Sequence, residues 1–192
     1  SHSKKCTLIL TEGDSAKTFA ISGLGVVGRD YYGVFPLKGK LLNVRDATAK
    51  QLLNNEEITN IKQIMGLQMN KVYKDVTELR YGHIMILTDA DVDGSHIKGL
   101  FMNFVHHFWP SLMENVPGFL KSMRTPILKC TKNNNRTLSF YTKSEYDKWK
   151  ETAVGHWNIK YYKGLGTSTA NEARDYFHNM SKNTVVYDYD KP

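Results

Sequence analysis

An apolar run that ends abruptly in alternating aspartates constrains this chain more than any other feature. Ile84-Met-Ile-Leu-Thr-Asp-Ala-Asp-Val-Asp-Gly94 places Asp89, Asp91 and Asp93 within five residues. Three carboxylates so close together repel one another. They are tolerable only where solvent or a cation screens them, and oxygen ligands at this density suit a hard divalent ion such as Mg²⁺ or Ca²⁺. The run His83–Thr88 reads as a short buried strand, and the residues after Gly94 begin a helix. Carboxylates on a turn from strand to helix sit where open α/β sheets place their ligands. A calcium loop, Asp-x-Asp-x-Asp-Gly, is the competing reading. It needs a bidentate Glu at its twelfth position, where this chain has Leu100, and a helix rather than a strand before it.

A second acidic turn has the same layout. The apolar run Cys6–Leu10 is followed by Thr11-Glu12-Gly13-Asp14-Ser15-Ala16, and Ser15 or Asp14 is placed to cap a helix continuing to Ser22. If the two strands are parallel in one sheet, Glu12 and the aspartates converge at one edge. That constellation can hold one or two Mg²⁺ ions and act on phosphate.

The rest of the chain alternates in the same way. Tyr32–Leu37 is strand-like, residues 46–66 hold helical segments, and 72–80 reads as a polar connection. Ser95–Met113 is a long amphipathic helix that Pro110 bends. Residues 119–131 and 137–142 suggest two strands around an Asn133–Asn135 hairpin tip. A helix over 143–151, a strand over 157–162, a helix over 169–180 and a strand over 184–189 follow. Strands alternating with helices indicate an α/β fold with a mostly parallel central sheet. Gly23-Leu-Gly-Val-Val-Gly28 matches the spacing of a dinucleotide fingerprint, but it follows a helix, so it reads as helix termination and loop. His106 and His107 read as helix-surface or packing residues.

A length of 192 residues suits one domain with a small appendage. The formal net charge is +7 although the candidate site is acidic, so the positive charge lies elsewhere and suits a polyanionic partner. An ordinary lysine-rich surface is the plainer alternative. No apolar run approaches the ~20 residues of a membrane span, and no signal peptide is visible. Cys6 and Cys130 lie in apparent strands, which points to a reduced intracellular setting. Ser1-His-Ser3 reads as a cloning remnant within a lead-in over 1–5.

Glu12-Gly-Asp-Ser-Ala16 and Asp89-x-Asp-x-Asp-Gly94 resemble the two halves of the Toprim signature. With Gly28–Val44 and Tyr161-Tyr-Lys-Gly-Leu-Gly-Thr-Ser168, in this order, they resemble type IIA DNA topoisomerases over nearly the whole chain. The second and fourth blocks are closer to the eukaryotic-type single-chain enzyme, and Thr88–Gly94 to the bacterial gyrase B subunit. Bacterial primases, small ribonucleases and recombination proteins share the acids but not Phe35–Lys40 together with Tyr162–Thr167.

The resemblance implies a Toprim, Rossmann-like core over 6–130 and a C-terminal α/β extension over 131–192. It implies that Glu12, Asp89 and Asp91 are catalytic and that these three, with Asp93, hold Mg²⁺, for which Mn²⁺ or Ca²⁺ can substitute. Glu12 would also shuttle the proton of the 3′-hydroxyl, and Asp14 would cap or pair locally. Lys38, Gly39, Lys40, Asn43, His96 and Lys163 would contact double-stranded DNA. None of the eleven tyrosines would be the nucleophile, which the resemblance places in a winged-helix domain downstream. ATP would be bound by an ATPase domain of the same polypeptide, not by this segment. The parent would be a homodimer, in the nucleus if eukaryotic and otherwise intracellular or viral.

Overall fold

The structure is a computed structural model that describes residues 2–38, 46–90, 92–133 and 135–187, apart from the side chains of Ser15, Val92 and Asp93. The elements run β1 (Thr7–Glu12), α1 (Gly13–Val27), β2 (Tyr32–Leu37), α2 (Ala49–Asn54), α3 (Glu56–Met65), β3 (His83–Leu87), α4 (Val92–Phe108) and α5 (Pro110–Asn115). They continue with β4 (Leu120–Met123), β5 (Leu128–Lys132), β6 (Arg136–Phe140), α6 (Lys143–Thr152), β7 (Asn158–Tyr161), α7 (Ala170–His178), α8 (Met180–Asn183) and β8 (Thr184–Val186).

The fold is α/β. A five-stranded sheet has the order β2-β1-β3-β4-β8, its first four strands parallel and β8 antiparallel to β4. The central strands are apolar without alternation because helices cover both faces. Leu8, Leu10, Ile84 and Ile86 face one side, packed with Ile58, Ile61 and Met65 of α3 and Phe101 and Phe104 of α4. Ile9, Met85 and Leu87 face the other, packed with Phe19 and Leu24 of α1 and Ala173 and Phe177 of α7. The sequence therefore reaches back: α7 comes from the last quarter of the chain and closes a face of the first sheet. The connection over 72–80 is less polar in place than its composition suggests, since Tyr73, Val76 and Leu79 are buried in the core.

A second, three-stranded antiparallel sheet has the order β6-β5-β7. Its small core is Leu128, Cys130, Phe140 and Tyr146, with Trp149 and Trp157 packed against it. Asn133, with φ 51°, carries the β5–β6 hairpin through the left-handed conformation that Asn tolerates. Both cysteines are free thiols, Cys130 buried in β5 and Cys6 just before β1. Among the described residues no helix is long and apolar enough to cross a membrane.

Three local expectations change. Helix α1 runs on to Val27, so Gly23 and Gly25 lie inside it and only Gly28, with φ 86°, ends it. The reason at Gly23 is packing: a Cβ there would stand 2.1 Å from Phe177 Cδ2 of α7. Pro110 does not bend one long helix but opens a second, at its first position, after a break at Trp109. A residue before proline is disfavoured in the helical region, and the Trp109 indole N–H donates to Gln68 O at 2.8 Å. Finally, the single strand expected over 119–131 is two strands in different sheets, β4 and β5.

Candidate metal centre

The acids meet as the strand order requires. β1 and β3 are parallel neighbours with Thr11 opposite Leu87, so Glu12, the last residue of β1, is level with Thr88, and Asp89 follows. On the other side Glu12 lies opposite Leu37, so Lys38 leaves β2 at the same carboxyl edge. Glu12 and Asp89 are partly exposed, and Lys38 is exposed. Gly13 has φ 73°, which turns the chain from β1 directly into α1. The N-cap of α1 is consequently Glu12, without a side-chain cap bond, and Asp14 sits inside the first turn rather than capping it.

After β3 the turn is equally tight. A Cβ at Gly94 would stand 2.1 Å from Asp89 O and 2.8 Å from Thr88 Oγ1, so only glycine lets α4 start so near the strand end. Helix α4 begins at Val92, three residues before the expected start, which moves the exposed His96 into its second turn. The Thr88 hydroxyl is buried and has no hydrogen-bond partner among the described residues.

The Lys163–Thr167 turn closes on this edge from far along the chain. The Leu165 amide donates to Asp89 Oδ1 at 2.7 Å. A Cβ at Gly164 would lie 3.1 Å from Asp89 Oδ2, so the missing side chain lets the turn approach the carboxylate. Lys163 is exposed next to Gly164, and a short 3₁₀ turn, Leu165–Thr167, follows. Glu12, Asp89, Lys38 and Lys163 are thus gathered at one edge of the sheet. Asp91, Gly39, Lys40 and Asn43 lie outside the described residues, as does the side chain of Asp93, whose backbone is in the first turn of α4. Among the described residues no group of three His, Cys, Asp or Glu side chains is close enough to hold a metal ion.

Residues that sequence reasoning passed over support the edge. Buried Glu57 of α3 accepts the Lys38 amide through Oε1 at 3.3 Å, tying the start of the basic loop to the core. Buried Glu172 accepts from Lys129 Nζ, Lys160 Nζ, Tyr162 OH and the Thr169 amide. Burial pushes the Glu172 carboxyl up, but hydrogen bonds from Lys129, Lys160, Thr169 and Tyr162 outweigh it and hold it well below the usual carboxylate range. Burial first, then the bonds to Glu172 and Tyr176, push the Tyr162 phenol well above its usual value. One signal was present: Thr169-x-x-Glu172 is a capping box, and both of its bonds are made.

Parallel strands that deliver acids to one edge define a class, and the comparisons agree with it. A model of the Toprim domain matches residues 7–121, and one of the C-terminal associated domain of Toprim matches 123–192. The chain belongs to the Toprim family. It is 57% identical over 192 residues to DNA topoisomerase 2 of Pisum sativum, covering 98% of this chain and 13% of that protein. It is 58% identical over 196 residues to DNA topoisomerase 2-beta of Homo sapiens, covering 100% and 12%. The solved DNA-binding, cleavage and re-ligation domain of Plasmodium falciparum topoisomerase II superposes with a TM-score of 0.93 at 54% identity, covering 100% of this chain and 26% of that one. The chain therefore spans about an eighth of its curated relatives.

Proposed function

We propose that this chain is the Mg²⁺-binding portion of the DNA cleavage–religation core of a type IIA, ATP-dependent DNA topoisomerase. It acts with a tyrosine on a domain outside the chain. The observation that carries the reading is the level placement of Glu12 and the Thr88–Asp89 turn on adjacent parallel strands. Glu12, Asp89, Asp91 and Asp93 would hold the ion, and all four supply the hard oxygen donors that Mg²⁺ prefers. Bound there, Mg²⁺ would stabilise charge on the scissile phosphate and on the departing 3′-oxygen. Glu12, at the strand end, carries the proton of the 3′-hydroxyl. Lys38, Gly39, Lys40, Asn43, His96 and Lys163 contact the backbone of double-stranded DNA and offset the repulsion between phosphate and the acids. The Toprim core is 6–130 and the extension 131–192. The parent is a homodimer that carries its winged-helix and ATPase domains in the same polypeptide and works in the nucleus.

Calorimetric titration of Mn²⁺ into the chain tests the metal assignment. Asp89→Asn, which keeps an acceptor for the Leu165 amide, and Glu12→Gln should each weaken binding by about tenfold or more. Neither should lower stability in metal-free buffer, since removing one of several like charges relieves repulsion. Wild-type Mn²⁺ affinity in both variants would remove the assignment.

A further inference from the structure

We infer that Glu172 is a positioning residue for Asp89, holding the turn that binds the Asp89 carboxylate. The inference deepens the metal-centre reading above and rests on it. Lys129 of β5 and Lys160 of β7 are directly opposed in register. Like charges directly opposite across two strands destabilise a sheet. Here the Glu172 carboxylate lies between them, Oε2 taking Lys129 and Oε1 taking Lys160 at 2.6 Å. A single buried acid on α7 therefore locks two strands of the small sheet, β5 and β7, onto that helix.

The knot has a further arm that a simple ion pair would not need. Tyr162 OH donates to Glu172 Oε2, and Tyr176 OH donates to Tyr162 OH at 2.9 Å. The Tyr162 amide is fixed to Ile127 O at 2.9 Å. Tyr162 is thus held at both its backbone and its phenol. Two residues on is Gly164, beside the Asp89 carboxylate, and then Leu165, whose amide donates to Asp89 while its side chain is buried with Phe19 and Ala173. The route from Glu172 to Asp89 is two hydrogen bonds, at Tyr162 OH and at the Leu165 amide, joined by the backbone from Tyr162 to Leu165. Partners of this kind, one step behind a ligand, set the orientation of that ligand. Glu172 is 6% exposed, and its interactions with four donors leave its carboxylate no role that requires contact with DNA or metal.

Two variants of the full 192-residue chain test this. Glu172→Gln removes the charge at constant size. Tyr162→Phe removes the phenol bonds to Glu172 and from Tyr176 and leaves both lysines paired, so it carries the test if the first variant does not fold. The first readout, amide hydrogen exchange at Leu165 by NMR, needs no metal. It should quicken by about tenfold in Glu172→Gln and less in Tyr162→Phe, while β1 and β3 amides keep their protection. The second readout is Mn²⁺ affinity by calorimetry. It should fall by about tenfold in Glu172→Gln, and that loss should vanish in an Asp89→Asn background. Unchanged Leu165 exchange in both variants overturns the inference even if wild type binds Mn²⁺ well. An equal loss of Mn²⁺ affinity with and without Asp89 also overturns it, because Glu172 would then act by another route. If wild type binds no Mn²⁺ but Leu165 exchange responds, the metal reading fails and the positioning of Asp89 stands.

Discussion

Asp89 and Glu172 are both tied to the segment Tyr162–Leu165, and they are held in opposite ways. Asp89 stands at the carboxyl edge of a parallel sheet, partly exposed, accepting a backbone amide. Glu172 is buried beneath the small antiparallel sheet, where two lysines, a tyrosine and a backbone amide donate to it. A buried charge is stable only when paired and hydrogen-bonded, and breaking its pairing is costly. Asp89, partly exposed at the strand end, takes a neutral amide donor rather than two lysines. The same residue chemistry thus serves stability in one region and a candidate reaction in the other, and the difference is set by donors and burial.

The comparison fails if the edge acids prove structural. In the full enzyme proposed here, Glu12→Gln should reduce DNA cleavage and religation by about 10²–10⁴-fold, with metal-free DNA binding and chain stability near wild type. Religation at the wild-type rate would move Glu12 to the structural side. Glu172→Ala should show the reverse pattern. We expect a loss of about 3 kcal/mol in urea unfolding of the chain, at the low end for a broken buried pair because both lysines remain partly open to solvent.

Acid sharpens the contrast. The folded-state value of Glu172 lies below its ordinary 4.5, so its contribution is complete above that pH and is lost as pH falls from there toward the folded value. The stability gap between wild type and Glu172→Gln should therefore narrow progressively below pH 4.5. A gap that stays constant on acidification would mean that the charge is not what stabilises the knot.

Smaller effects probe how the two regions are joined. Gly23→Ala places a methyl 2.1 Å from the Phe177 ring, where α1 meets α7. It should cost about 2 kcal/mol despite the better helix propensity of Ala, read as a lowered urea midpoint. The smallest effect is at the basic loop. Lys38→Ala with Lys40→Ala should flatten the log–log salt dependence of DNA binding by roughly 0.9 for each phosphate that is no longer neutralised. The weakening should be nearly uniform across DNA sequences. An unchanged slope would leave the +7 charge of the chain without an assigned partner.

Much of the candidate site was legible because its signals are local. Strand, acid and glycine follow one another within a few residues at Leu10–Gly13 and at Leu87–Gly94, and a short apolar strand followed by a turn is a short-range pattern. What stayed hidden depends on residues distant in sequence. Leu165 and Asp89 are 76 residues apart, and Lys129 and Glu172 are 43 apart. Gly23 read as a helix end because glycine ordinarily weakens a helix. Its reason is the Phe177 ring of α7, which no window around Gly23 contains.

The sequence by itself determined the α/β alternation, the two acidic strand-to-helix turns and the family, because each is written in residue order and in the periods of buried side chains. Only the tertiary structure decided that α7 covers one face of the first sheet and β8 adds its last strand, that residues 119–131 divide between two sheets, that the Leu165 amide meets Asp89, and that Glu172 pairs Lys129 and Lys160. Those features rest on shape and on donor–acceptor pairing between segments that meet after the chain has folded, and neither leaves a mark in local composition.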